Sequence, residues 1–75
     1  MENIVEKTLG ENRVRVEFNP SAESVVDIIK NKTAELINLV NECPSQEGET
    51  KRLMSLAMTA YEEAAMWAVK AVTGK

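Results

Sequence analysis

A short loop divides two long segments in which apolar residues recur with helical spacing. Within this loop, residues 43–49, Pro44 cannot continue a helix and Gly48 favours a turn. The two segments are therefore predicted to form separate helices, at about residues 21–42 and about residues 50–73. Helices joined by so short a loop pack antiparallel. The pattern thus predicts an all-α fold, an antiparallel helical hairpin.

The helices carry more apolar surface than one hairpin interface needs. In the second helix, a stripe of mainly small residues is expected to pack on the first helix, with Trp67 buried in it. This stripe comprises Leu53, Ala57, Ala60, Ala64, Trp67, Ala68 and Ala71. The stripe beside it is expected to stay exposed in one hairpin and comprises Met54, Met58, Tyr61, Ala65, Val69 and Val72. Exposed apolar stripes mark partner surfaces, so we expect a homo-oligomer.

The chain of 75 residues is long enough for one domain, residues 1–75, with a thin core. Its first 18 residues differ from the rest because apolar and charged side chains alternate, as in an extended segment. The alternating residues are Arg13, Val14, Arg15, Val16, Glu17 and Phe18. They predict an N-terminal arm, extended or partly helical, that packs on its own chain or on a neighbouring subunit. Asn19 or Ser21 is expected to cap the helix that follows.

Composition argues against several partners. Nine basic residues against 12 acidic residues give a net charge of −3, which provides no footprint for duplex nucleic acid. Cys43 is the only cysteine and histidine is absent, so neither a disulfide framework nor a zinc site is expected. The first residues do not resemble a signal peptide, and no apolar run approaches the ~20 residues that span a bilayer. We therefore expect a cytoplasmic protein without a membrane partner.

The sequence contains few side chains that are suited to catalysis. Histidine is missing, and neither a glycine-rich phosphate loop nor a nucleophile elbow is present. The tight carboxylate pair is Glu62 and Glu63, whose side chains point about 100° apart on a helix and cannot act together on one substrate as acid and base. We interpret both as solvated or interfacial, and we expect neither an enzyme nor a metal or cofactor.

Phe18 and the basic residues offer contacts for a small anionic ligand. Phe18 lies at the corner between the arm and the first helix, where it either packs on Val25 or Val26 or forms a stacking platform for a nucleobase. In the second case a nearby lysine would meet the phosphate. Each basic side chain alone is more often a solvated charge. The residues in question are Arg13, Arg15, Lys30, Lys32, Lys51 and Arg52.

Two stretches of the chain carry a recognisable motif. In the second helix it runs Ser55-Leu56-Ala57, Thr59, Glu62-Glu63-Ala64, Met66-Trp67-Ala68, Lys70 and Ala71-Val72. Nearer the N-terminus it runs Arg15-Val16-Glu17-Phe18-Asn19-Pro20-Ser21, followed by Val26-Asp27-Ile28-Ile29-Lys30. Together they resemble the phage helical-hairpin sponge family, which comprises the anti-CBASS cyclic-nucleotide sponges and the hairpin domain of the Thoeris anti-defence sponges. The resemblance covers about residues 10–73.

The resemblance implies a function. Members of this family are not enzymes; they form homo-oligomers of helical hairpins, typically hexamers, and bind cyclic oligonucleotides between protomers without cleaving them. The expected ligands are cyclic dinucleotides such as cyclic GMP-AMP, with cyclic trinucleotides as a further class. Such a protein acts in the cytoplasm of the infected bacterial host, where it keeps the messenger from activating CBASS effectors.

The resemblance also implies site residues. Phe18 matches the family's aromatic residue that stacks on a base, and Lys30 matches its phosphate-contacting lysine. Asn19 and Ser21 are expected to bind base edges or to supply backbone amides near a phosphate. A second pocket, for cyclic trinucleotides, would use Lys70, Thr33 and Arg52.

An alternative from a different class is a small helical oligomeric adaptor or inhibitor. It would bind a protein partner through the stripe that contains Met54, Met58 and Tyr61. The mass of the particle separates the two hypotheses, because a closed hexamer covers this stripe whereas a monomer or dimer leaves it open.

Overall fold

The predicted hairpin is present. The computed structural model describes residues 7–17, 23–44 and 47–74. Its helices are α1 (Leu9–Val14), α2 (Ser24–Glu42) and α3 (Gly48–Thr73). Helices α2 and α3 pack side by side and form the hairpin, and the described residues contain no strand. The all-α class and the hairpin are thereby confirmed.

Helix α2 begins later than the predicted residue 21. Its first residue is Ser24, and the preceding Glu23 is extended, with φ −85° and ψ 133°. The Glu23 carbonyl accepts the first helical hydrogen bonds, including one from the Asp27 N–H at 3.4 Å. The predicted caps, Asn19 and Ser21, lie outside the described residues.

Helix α3 begins at Gly48, shortly before the predicted residue 50. Its N-cap residue is Glu47, whose carbonyl accepts a hydrogen bond from the Lys51 N–H at 3.0 Å. The helix ends where Gly74 adopts the left-handed conformation, with φ 70°, that glycine tolerates best. Its N–H then donates to the Ala71 carbonyl and satisfies one of the terminal acceptors.

Of the two conformations predicted for the arm, the partly helical one is present in its described part, and the extended one is wrong for residues Leu9–Val14, which form α1. The physical reason is a capping box at the start of α1. The Thr8 hydroxyl accepts a hydrogen bond from the Glu11 N–H at 3.1 Å, and the Glu11 carboxylate accepts one from the Thr8 N–H at 2.8 Å. This reciprocal pair stabilises a helix start more strongly than the short alternation of side chains favours a strand.

Helix α1 packs on α2 at a glycine. A Cβ atom on Gly10 would overlap the carbonyl oxygen of Ala34, so only glycine permits this approach. The Gly10 N–H donates to the Asn38 side-chain oxygen at 2.8 Å, and the Asn38 amide donates to the Thr8 hydroxyl at 2.9 Å. These contacts fix α1 across α2 and bring its C-terminal end towards α3.

The core lies where the three helices meet, and Ile37 of α2 is fully buried in it. On α3 the inward residues are Met58, Tyr61 and Ala65, with Met58 only 8% exposed. We call the side of α3 with Met58, Tyr61, Ala65 and Val69 the inner face. Apart from Val72, which is 44% exposed, the stripe that was expected to stay outside is therefore the one that packs inside the hairpin, and the predicted assignment of the two stripes is wrong.

The opposite side of α3, which we call the outer face, carries Leu53, Leu56, Ala60, Ala64 and Trp67. Trp67 follows Met58 by nine residues, which places it about 180° around the helix. It is 55% exposed instead of buried, and its indole N–H donates to the Glu63 carboxylate at 3.4 Å. The larger Met58 and Tyr61 fill the groove beside α2, so the small-residue stripe is left outside. For the same reason the stripe with Met54, Met58 and Tyr61 is not an open docking surface.

Candidate ligand-binding site

A cleft of about 480 Å³ lies between the C-terminal end of α1, the first half of α2 and the second half of α3. Small-molecule sites typically have volumes of about 300–1,000 Å³. The cleft has basic side chains, acidic side chains and an apolar wall. These residues include Arg13, Arg15, Lys30, Glu62, Glu63, Val14, Ala65 and Met66. The mixture suits a small anion that also has an apolar or aromatic part.

Lys30 is a buried base at this cleft. It lies in α2 on the same side as Val26, Ala34 and Ile37, and it is 8% exposed. Its ammonium donates a hydrogen bond to the Arg15 carbonyl oxygen at 3.1 Å. Burial, and then the positive charge of Arg15, lower the pKa of Lys30, while the negative charge of Asp27 partly opposes this shift.

Arg15 owes its position to an unusual backbone conformation. It is the C-cap of α1 and adopts the left-handed conformation, with φ 55° and ψ 59°. This conformation costs a residue with a side chain roughly 1–2 kcal/mol. It turns the chain so that the Arg15 N–H donates back to the Glu11 carbonyl, while the Arg15 carbonyl receives the Lys30 ammonium. The strained residue is therefore the one whose backbone carbonyl holds the Lys30 ammonium at the cleft.

Arg13 links α1 to α3 across the cleft wall. Its Nε donates to the Glu62 carboxylate at 3.0 Å, and its Nη2 donates to the Thr59 hydroxyl at 3.1 Å. Arg13 and Glu62 are 49 positions apart, so no local spacing in the sequence signals their pairing. Both residues stand out in the sequence separately, but nothing there indicates that they form a pair. The structure thus adds Thr59 and Glu62 to the residues of this cleft.

The sequence-predicted residues of the first pocket are only partly within the described chain. Lys30 lines the cleft. Phe18, Asn19 and Ser21 lie outside the described residues. In the cleft, Lys30 is thus accompanied by two further basic residues, Arg13 from α1 and Arg15 from its C-cap.

The residues predicted for the second pocket do not come together in one chain. Arg52 and Lys70 are 18 positions apart on α3, five turns or about 27 Å along the helix axis. Arg52 pairs with Glu49 at 2.7 Å, and this hydrogen bond raises the pKa of Arg52. The Lys70 ammonium lies 5.8 Å from the centre of the Trp67 ring. The Thr33 hydroxyl donates to the Ile29 carbonyl of its own helix at 2.7 Å.

The family model described as "Acb2/Tad1, hairpin domain" matches residues 10–73, which span nearly the whole chain. The chain belongs to this family. It is the anti-CBASS and anti-Thoeris sponge family, whose members sequester cyclic nucleotides. The match begins at Gly10, the residue on which α1 packs, and includes every wall of the cleft. Neither the search of curated proteins nor that of solved structures finds a match.

Within residues 7–17, 23–44 and 47–74, no helix of this sponge-family chain combines the length and the hydropathy needed to cross a bilayer.

Proposed function

We propose that this chain is a phage anti-defence sponge that binds cyclic dinucleotides such as cyclic GMP-AMP and holds them without cleavage. The family match over residues 10–73 is the observation that carries the proposal. The cleft supports it, because three basic side chains, Arg13, Arg15 and Lys30, line a space suited to a small anion. Sequestration keeps the messenger from CBASS effectors in the cytoplasm of the infected bacterium.

In this proposal, Lys30 contacts a phosphate of the ligand. Its burial supports this role, because a lysine that is desolvated and already held by a backbone carbonyl loses little further hydration when an anion arrives. Phe18 stacks on a base, and Asn19 with Ser21 provides hydrogen bonds to base edges or to a phosphate. These three residues lie in the segment between Arg15, at one wall of the cleft, and α2, which carries Lys30.

We further propose that the pockets form between protomers of a homohexamer. The amount of apolar surface left outside the hairpin supports self-association. Among the residues that the structure describes, ten large apolar side chains are at least 39% exposed: Leu9, Val25, Ile28, Leu36, Leu39, Leu53, Leu56, Met66, Trp67 and Val72. A second pocket, for cyclic trinucleotides, would combine Thr33, Arg52 and Lys70 from different chains. The long separation of Arg52 and Lys70 within one chain favours such a shared site.

The chemistry of the side chains supports binding without cleavage. Histidine is absent from the sequence, and the Glu62 carboxylate is engaged by Arg13 at 3.0 Å. Glu63, the adjacent acid, points about 100° away around the helix. The cleft thus offers cations that stabilise a phosphodiester in its ground state without a matched acid and base to cleave it.

The experiment is a capture and release assay. The purified protein is incubated with radiolabelled cyclic GMP-AMP, separated from free ligand, denatured, and the released nucleotide is analysed by chromatography. We expect stoichiometric retention and recovery of the intact cyclic molecule. Release of a linear or hydrolysed product would contradict the proposal, as would failure to retain any cyclic dinucleotide.

Two lysines of α2 provide a matched pair for the same assay. Lys30→Met keeps most of the apolar stem but removes the buried charge, and we expect at least about tenfold weaker retention. Lys32→Met removes one charge from an exposed position, and we expect little change. Equal retention by both variants would show that Lys30 does not contact the ligand.

A further inference from the structure

The contacts of Arg13 fix the orientation of its guanidinium group. Two of its nitrogen atoms are engaged, Nε by the Glu62 carboxylate and Nη2 by the Thr59 hydroxyl. A guanidinium carries five N–H donors in one plane, so two such contacts set the direction of the remaining three. The side chain is 24% exposed and lines the cleft. Arg13 is therefore held in place while it keeps donors to offer.

We propose that Arg13 binds a phosphodiester oxygen of the anion in the cleft, and that Glu62, together with Thr59, is the positioning residue that aims it. This inference rests on the proposed function and extends it, since it adds a phosphate contact from α1 to the one assigned to Lys30. Arg13 touches the ligand, whereas Glu62 acts through Arg13.

Preorganisation is the physical basis of the assignment. A free arginine side chain loses about 2 kcal/mol of rotamer entropy when it is immobilised. Arg13 has already lost part of this freedom in the chain itself, because the acceptors on α3 hold it. A guanidinium also matches a phosphate geometrically, since two parallel N–H groups can bind two oxygen atoms. The ligand would thus meet a fixed donor instead of ordering a flexible one.

The charge of Glu62 makes the proposal sharply testable. Glu62 lines the cleft as a negative charge, so on electrostatic grounds alone its removal would strengthen the binding of an anion. If Glu62 instead positions Arg13, its removal weakens binding although the cleft becomes more positive. The two explanations predict opposite signs for the same substitution, Glu62→Gln.

The neighbouring acid supplies the matched control. Glu63 also lines the cleft and carries the same charge, but its carboxylate accepts from the Trp67 indole instead of from Arg13. We expect Glu62→Gln to weaken the binding of cyclic GMP-AMP about three- to tenfold, and Glu63→Gln to tighten it up to about threefold. Equal effects of the two substitutions, or tighter binding in Glu62→Gln than in the wild type, would overturn the positioning role of Glu62.

Arg13 itself is tested by a charge-conserving substitution. Arg13→Lys keeps the positive charge but loses the planar donor group, and we expect about tenfold weaker binding. Thr59→Val removes the other acceptor at nearly constant volume, and we expect about threefold weaker binding. Lys51→Gln, a charge removal at the other end of α3, controls for net charge and should leave the affinity within twofold.

Two further readouts separate this inference from folding and from the proposed function. Helix content and denaturation midpoint, recorded for each variant, exclude variants that do not fold. The affinity should depend less steeply on salt concentration in Arg13→Ala than in the wild type, because one charge-charge contact is gone. If Arg13→Lys and Glu62→Gln both bind the cyclic dinucleotide as tightly as the wild type does, the inference fails and the proposed function stands. If the wild type binds no cyclic nucleotide, the proposed function itself fails.

Discussion

The inner and outer faces of α3 are both apolar, yet they have opposite surroundings. On the inner face Met58 is 8% exposed and Ala65 is 6% exposed, whereas on the outer face Leu56 is 54% exposed and Trp67 is 55% exposed. The inner face completes the core with α2, and the outer face has no cover within the described chain. The difference between the two faces shows that apolar character alone does not decide which side of a helix packs inside its own subunit.

The largest effect is expected from a charge on the outer face. If the outer face is the interface of the proposed homohexamer, Trp67→Glu should give particles near the single-chain mass of 8.3 kDa, because a carboxylate buried without a partner costs several kcal/mol. Light scattering measures the mass, and circular dichroism should show that the helices persist. Trp67→Phe keeps an aromatic ring and should preserve the assembly. A Trp67→Glu protein with unchanged oligomeric mass would show that the outer face is not the subunit interface.

Two methionines of α3 allow the same substitution at both kinds of surface. Met58→Ala should lower the free energy of unfolding by about 3 kcal/mol, because it leaves a cavity in the core. Met66→Ala, at a residue that is 56% exposed, should lower it by less than about 1 kcal/mol. Urea denaturation of both variants at one protein concentration gives the comparison. Similar losses would contradict the assignment of the inner face.

The sequence predicted the hairpin but could not orient its second helix. Pro44 and the helical periodicities place the helices and the loop between them, because these signals are local. The choice between the stripes of Met58 and Trp67 depends on what fills the groove beside α2. That packing joins Met58 and Ala65 of α3 to Val14 of α1 and Ile37 of α2, which are far apart in the sequence, so no periodicity reveals it.

The site shows the same division between local and long-range information. Lys30 is followed by Ala34 and Ile37 at helical spacing, so its place on the buried side of α2 could have been found from the sequence. The pairing of Arg13 with Glu62 joins residues 49 positions apart and needs the fold. The roles assigned to Phe18, Asn19 and Ser21 remain predictions, since these residues lie outside the described chain.

One added Cβ atom at Gly10 is expected to disturb the packing of α1 on α2. Gly10→Ala should lower the free energy of unfolding by about 1–3 kcal/mol, because its Cβ would overlap the Ala34 carbonyl. It should also weaken cyclic dinucleotide binding, since α1 and its cap carry Arg13 and Arg15. Gly48→Ala meets no atom within 4 Å and should be neutral or slightly stabilising. Denaturation and titration of both variants test this; an undisturbed Gly10→Ala protein would contradict the close approach of α1.

The smallest effect concerns pH. An anion prefers the protonated form of Lys30, whose pKa is lowered by burial and by the charge of Arg15. The affinity should therefore be constant near neutral pH and fall as an alkaline pH passes through this lowered pKa, earlier than for an ordinary lysine. Titrations from neutral to alkaline pH should show a decline of a few-fold. Lys30→Arg stays charged throughout and should show a flatter profile; equal profiles would exclude a phosphate contact by Lys30.

Calorimetric titration with cyclic GMP-AMP, with its linear counterpart as the control ligand, tests the central claim most directly. We expect a sub-micromolar dissociation constant for the cyclic ligand, which corresponds to more than about 8 kcal/mol of binding free energy. We also expect one ligand per two chains, as pockets shared between protomers require, and much weaker binding of the linear control. Absence of heat with cyclic di- and trinucleotides alike, or equal binding of the linear molecule, would contradict it.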